Sequence, residues 1–201
     1  MTNEPLLFPN LEQFVQYASQ ELPSSRIIIL TNGLLLTEER TKRLLEAGIK
    51  ELTINNYTKR PDTFPEKFFR IGKLCGPYGI QFLAQTRNID EVLNSRGGTS
   101  PNKKSQGIVH DSCPYPFSQF NVNGRGLVSK CCADVLFKDP MGDVTKEKVL
   151  DIWNGENFQR VRSALEQGKR EELEGCKECD FTGSTIVQVG AKLSNIKEVK
   201  E

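Results

Sequence analysis

Apolar positions over residues 1–90 recur at two alternating periods. Leu11, Phe14, Val15 and Ala18 stand at i, i+3, i+4 and i+7, which predicts one face of a helix. Asn10 is placed to cap it, with Gln13 three residues on, and Pro23-Ser24-Ser25 break it. Arg26–Thr31 is a β-branched run of the kind that forms a strand buried in a parallel sheet. Asn32-Gly33 turns the chain. Thr37 then caps a second helix, and Gly48 sits where a C-terminal cap glycine belongs. Leu52 and Ile54 alternate as a second strand. Pro65–Cys75 forms a third helix ended by Gly76-Pro77, and Ile80, Phe82 and Ala84 alternate as a third strand. Strands and helices in this order predict an α/β layer with a parallel sheet. Three strands, with room for a fourth at the extreme N-terminus, are too few to close a barrel. The chain passes from Glu4-Pro5-Leu6 almost directly into a helix. It is therefore expected to be an α/β domain without its first βα units.

The pattern changes after residue 90. Residues 91–112 are polar and rich in Gly and Ser, as in a linker or mobile loop. Beyond them, Phe117–Val122 and Gly126–Cys131 are short strand candidates flanking Asn123-Gly124, a hairpin turn signal. Helical stretches follow at Lys146–Trp153 and Phe158–Leu165, and residues 183–201 form a tail that ends in the charged run Lys197–Glu201. The expected organisation is thus 1–90, a linker over 91–112, a second small domain over 113–182, and the tail.

Composition mainly excludes. The net charge of +1 over 201 residues gives no electrostatic case for a nucleic-acid partner or an anionic membrane surface. No apolar run approaches the ~20 residues of a membrane span, and no leader is visible. Six cysteines in such a chain point to a reducing compartment, hence the cytoplasm, where Cys-x-x-Cys reads as a metal or redox motif. The single histidine, His110, reads as a loop residue rather than a ligand. No Ser/His/Asp set or phosphate-cradling glycine loop is present, so hydrolase and kinase chemistry has nothing to rest on.

Cysteine spacing carries the chemistry. Cys113 and Cys131 bracket the predicted hairpin, and Cys176-Lys177-Glu178-Cys179 points two thiolates at neighbouring metal positions. Four convergent thiolates suit an iron–sulfur cluster, and zinc accepts the same donor set. Zinc ribbons generally use two tight Cys-x-x-Cys knuckles, whereas one pair here is widely split. Cys132 adjoins Cys131, and neighbouring side chains diverge on a strand, so Cys132 and Cys75 are read as non-ligands.

Several of these segments together resemble a known family. Cys113-Pro114-Tyr115-Pro116, Gly126 with Cys131-Cys132-Ala133-Asp134, Leu150–Asn154, Phe158 with Val161-Arg162, and Cys176-x-x-Cys179-Asp180 are similar to the SPASM/twitch extension of radical S-adenosylmethionine (radical SAM) enzymes. A full SPASM domain has seven cysteines and two auxiliary clusters. This sequence has no further cysteine after Cys179, so the resemblance implies the twitch type: one auxiliary [4Fe–4S] cluster held by Cys113, Cys131, Cys176 and Cys179. In the N-terminal part, Glu4-Pro5 resembles the end of the family's Gly-Gly-Glu-Pro segment, which implies a Glu4 contact to the amino group of S-adenosylmethionine. Thr31-Asn32-Gly33 resembles the family's turn at the barrel mouth, beside the cofactor's ribose and carboxylate; read alone, it is an ordinary turn after a strand. Arg96, in the loop joining barrel and extension, is the implied substrate contact, with a solvated loop arginine as the plainer reading.

The resemblance therefore implies a partial radical SAM (β/α) barrel followed by a small SPASM/twitch domain of hairpin and helices. It implies an oxidoreductase or maturase acting on a small molecule or peptide, exchanging electrons with a donor or acceptor. One departure qualifies this. Radical generation in the family needs Cys-x3-Cys-x2-Cys, and no three cysteines here have that spacing. The expectation is a fragment or half of a split enzyme, with another polypeptide supplying the rest of the barrel. The alternatives are a non-catalytic [4Fe–4S] electron carrier or partner subunit, and a structural zinc domain.

Overall fold

A computed structural model describes residues 4–60, 63–90, 95, 97–99 and 112–181. The chain divides into two compact units, one built on residues 3–91 and one on residues 92–185.

In the first unit, β1 (Ile28–Thr31), β2 (Glu51–Thr58) and β3 (Gln81–Asn88) form a parallel sheet in that order. Helices α1 (Leu11–Glu21), α2 (Glu38–Ala47) and α3 (Glu66–Cys75) alternate with the strands. Right-handed βαβ crossovers place such helices on the sheet, where their apolar stripes become buried. Leu44, Ile49, Leu52, Ile54 and Phe68 are all wholly buried in one core cluster. β2 is buried over Glu51–Ile54 rather than alternating. Glu51 and Thr53 are satisfied laterally: Glu51 accepts from Arg26 at 2.6 Å and from Thr53 Oγ1 at 2.7 Å.

The caps of α2 are those the sequence predicts. Thr37 Oγ1 accepts from the Arg40 N–H at 3.1 Å, and Gly48 ends the helix in the left-handed region at φ 105°. The start of α1 differs: Asn10 makes no side-chain cap bond, and Phe14 turns outward, 60 % exposed, against Phe8. The allowance for a fourth N-terminal strand also fails over the described residues, because Pro5–Leu7 forms a 3-10 turn. Pro5 removes a ladder donor and suits a first helical position, and the Glu4 carboxylate accepts from the Leu6 N–H.

The second unit has little regular structure. α4 (Tyr115–Ser118) occupies the start of the segment expected to be a strand, and β4 is only Asn121–Val122. β5 (Leu127–Ser129) pairs antiparallel with β4 and also with β6 (Gly142–Asp143), a strand too short to leave a periodic signal. The hairpin is not closed by a two-residue Asn-Gly turn. Its loop ends at Gly126, φ 87°, with Asn123 Oδ1 accepting from the N–H groups of Arg125 and Leu127. α5 (Val149–Asn154) and α6 (Glu156–Glu166) follow. α6 buries Phe158, Val161 and Leu165 in a core shared with Val128, Ile152, Leu173, Cys113 and Cys176. Arg162 on the same helix lies 4.0 Å over the Trp153 ring and donates to the Pro116 and Trp153 carbonyls, which ties α4 and α5 to α6.

Candidate metal centre

Three local structures bring thiols together in the second unit. Cys113 directly precedes α4, whose start is fixed by Pro114 and Pro116. Cys131 lies in a bend two residues beyond β5. Cys176 and Cys179 sit on turns in which the Cys176 N–H donates to Leu173 O at 3.1 Å and the Cys179 N–H to Cys176 O at 3.0 Å. Gly175, φ 76°, allows the chain to enter this turn. Cys113, Cys131, Cys176 and Cys179 line one recess, partly open to solvent, with Tyr115, Lys130, Asp134, Arg170 and Phe181 on its walls. The Tyr115 and Phe181 rings stack at 4.5 Å.

All six cysteines are free thiols. Cys132 is exposed, and it adjoins Cys131 in a bend and turn rather than on a strand, so strand alternation is not what separates the two side chains. Cys75 is buried in the core of the other unit, where burial raises its thiol to about 11. Burial likewise raises Cys113, pushes Cys131 up to about 12 and Cys176 up to about 11. Opposing it, backbone N–H groups of Ala133 and Asp134 favour the Cys131 thiolate, and the Lys130 and Arg170 charges favour that of Cys176. Thiols in this state become thiolates when a cationic centre takes their electron pairs, so metal loading releases protons. Among the described residues, no three His, Cys, Asp or Glu side chains converge as a group that could hold one metal ion. Four soft donors lining one recess suit an iron–sulfur cluster, and zinc accepts the same donor set.

The segment before Cys113 contributes to this region. Ser95 is wholly buried; its N–H and Oγ donate to Asp180 Oδ1 at 2.8 and 2.9 Å, and its Oγ also donates to Glu178 O. A Cβ on Gly97 would stand 2.6 Å from Gly175 O. Described residues of the stretch expected to be a linker thus pack closely on the Cys176–Cys179 turn. Arg96 lies outside the described residues, as does His110.

A second constellation stands at the carboxyl end of β1, in the first unit. Glu4 Oε1 accepts from Thr31 Oγ1 at 2.6 Å, and Glu4 Oε2 from the Asn32 N–H at 2.8 Å. Thr31 Oγ1 accepts from the Gly33 N–H, Asn56 Nδ2 donates to Asn32 O, and Lys67 Nζ donates to Gly33 O at 2.8 Å. Glu4, Thr31, Asn32 and Gly33 are therefore in direct hydrogen-bond contact. Gly33 has φ 76°, and a Cβ there would stand 2.7 Å from the Phe68 ring. Sequence reasoning missed Lys67, Lys130 and Arg170: Lys67 reaches Gly33 across the fold, and Lys130, though it pairs with Asp134 four residues on, has no helical period to mark it.

A family profile described as an iron–sulfur cluster-binding domain, SPASM, matches residues 113–180. The S-adenosyl-L-methionine-dependent 2-deoxy-scyllo-inosamine dehydrogenase of Niallia circulans is 31% identical over 177 residues, 88% of this chain and 69% of that protein. The GTP 3',8-cyclase of Pelotomaculum thermopropionicum is 40% identical over 79 residues, 39% of this chain and 24% of that protein. Among solved structures, BtrN in complex with AdoMet and 2-DOIA superposes with a TM-score of 0.73 at 32% identity, covering 89% of this chain and 69% of that one. An open conformation of BtrN gives 0.65 at 26% identity, covering 90% and 68%. With this similarity spanning both the parallel sheet and the cysteine recess, the chain belongs to the radical SAM enzymes that carry a SPASM-type iron–sulfur cluster-binding domain.

Proposed function

We propose that Cys113, Cys131, Cys176 and Cys179 hold a single [4Fe–4S] cluster and that the protein is part of an S-adenosylmethionine-dependent oxidoreductase. The observation that carries this reading is four free cysteines lining one recess, within the residues that the iron–sulfur cluster-binding profile matches. When bound, the cluster supplies a one-electron acceptor or donor. The chain's residues do the rest: α4, the bend after β5 and the Cys176–Cys179 turns orient the thiolates, and the stacked Tyr115 and Phe181 rings limit water at the wall. Glu4, Thr31, Asn32 and Gly33 form the S-adenosylmethionine-facing end of the sheet. Arg96 is the substrate contact, and the domain limits are those the sequence suggests, 1–90 and 113–182. The substrate class is a small polyhydroxylated amine, by similarity to the 2-deoxy-scyllo-inosamine dehydrogenase, and the reaction is oxidation of an alcohol carbon. Free thiols suit the cytoplasm, and among the described residues no helix is long and apolar enough to cross a membrane.

The test is iron, acid-labile sulfide and zinc per chain on protein made without oxygen. About four irons with equal sulfide supports the reading, and about one zinc without sulfide overturns it. A second reading is a cluster-bearing electron carrier, in which the same four cysteines hold the cluster without S-adenosylmethionine chemistry. Formation of 5′-deoxyadenosine from S-adenosylmethionine, by the loaded chain alone or with a polypeptide supplying Cys-x3-Cys-x2-Cys, separates the two.

A further inference from the structure

Among the described residues, Lys130 and Arg170 are the two largest charged side chains buried essentially completely, at 0% and 1% exposure, and both stand on the wall of the four-cysteine recess. Burying a full charge costs several kcal/mol unless opposite charge compensates it, on the order given by continuum and mutational work. Lys130 is compensated only loosely. Its Nζ lies 3.4 Å from Asp134 Oδ2 and 3.3 Å from Asp139 Oδ2, longer than the ~2.7–2.9 Å of a tight charge-assisted bond. Those two carboxylates take two of its three N–H donors. Asp139 is shared further, since Arg160 Nη2 binds both of its oxygens at 2.8 and 2.9 Å. Arg170 donates to the Phe181 carbonyl at 2.7 Å, beside the ring that stacks on Tyr115. Both cations stand on the wall of a recess whose proposed occupant, with four thiolates, is anionic.

We propose that Lys130 and Arg170 are positioning residues that set the redox poise of the centre: their buried charges stabilise its reduced form and raise its reduction potential, while Asp139 moderates Lys130. This rests on the cluster reading above. Reduction adds one electron and one negative charge, with no bond made or broken. Net charge and local hydrogen bonding are the protein's means of shifting such potentials.

The experiment is a dithionite titration followed by electron paramagnetic resonance, on anaerobically prepared full chain, with iron and sulfide counted on every sample. Lys130→Met and Arg170→Gln are expected to shift the midpoint to more negative values at wild-type iron content. Asp139→Asn is expected to shift it the opposite way, a sign that a merely structural role would not produce. Lys146→Met, which removes a 77%-exposed lysine, should leave it unchanged. Variants with full iron and the wild-type midpoint would overturn the proposal while leaving the cluster reading intact. Wild-type protein with no iron or sulfide would instead remove the cluster reading, and this proposal with it. If Lys130→Met and Arg170→Gln lose iron, Asp139→Asn decides: a positive shift supports the proposal, and an unchanged midpoint overturns it.

Discussion

Residues 3–91 and residues 92–185 bury their interiors by different routes. The first unit packs aliphatic and aromatic side chains from a three-stranded parallel sheet and its helices, with Leu44, Ile49, Leu52, Ile54 and Phe68 fully enclosed. Among its described residues the second has three strands of two or three residues and a core that includes Cys113 and Cys176, with Lys130 and Arg170 buried beside them. An apolar core is stabilised by the area it removes from water, about 25 cal/mol per Å². Buried cations are not, and depend on opposite charge to offset their desolvation, as Lys130 does on Asp134 and Asp139. The contrast separates a scaffold built on apolar patterning alone from one that also encloses charge beside its thiols.

The largest expected effect tests that contrast directly. Cys176→Ala should abolish wild-type iron content and raise hydrogen exchange through residues 112–181 while leaving β1–β3 protected; uniform loss of protection in both units would break the comparison. Next is pH dependence of the metal-free protein. Burial raises Cys131 and Cys176 from 9.0 to about 12 and about 11, so the unfolded chain ionises its thiols before the folded one does. Stability is therefore expected to hold below pH 9 and to fall as pH rises from there toward 12, seen as a falling urea midpoint. Cluster retention should run the other way, weakening toward acid as protons compete for the thiolates.

In the first unit the effects should be local and moderate. Gly33→Ala forces a Cβ to 2.7 Å from the Phe68 ring at φ 76° and should cost about 1–3 kcal/mol in denaturant unfolding. It should also weaken S-adenosylmethionine binding more than it lowers iron content. Smallest is Thr37→Ala, which removes the 3.1 Å cap bond to Arg40 and should cost about 1 kcal/mol with iron unchanged.

The α/β order was legible because its signals are local: Thr37 and Gly48 cap α2, and β-branched residues mark β1. Asn10 failed as a cap, and Phe14 left the predicted helix face, because periodicity records which side could be buried and not which neighbour arrives to bury it. In the second unit Asn123-Gly124 marked a hairpin, yet the loop closed at Gly126, and β6 is too short to carry any period. Ser95 was read within a Gly- and Ser-rich linker; its burial depends on Asp180, far along the chain.

The sequence by itself determined which thiols are available and the parallel layer, since thiol chemistry and apolar period are properties of residues in order. Only the tertiary structure decided what surrounds them: Glu4 reaching Thr31 and Asn32, Asp180 holding Ser95, and Lys130 and Arg170 enclosed at the recess. Desolvation and charge pairing depend on distance in space, and spacing along the chain does not encode it.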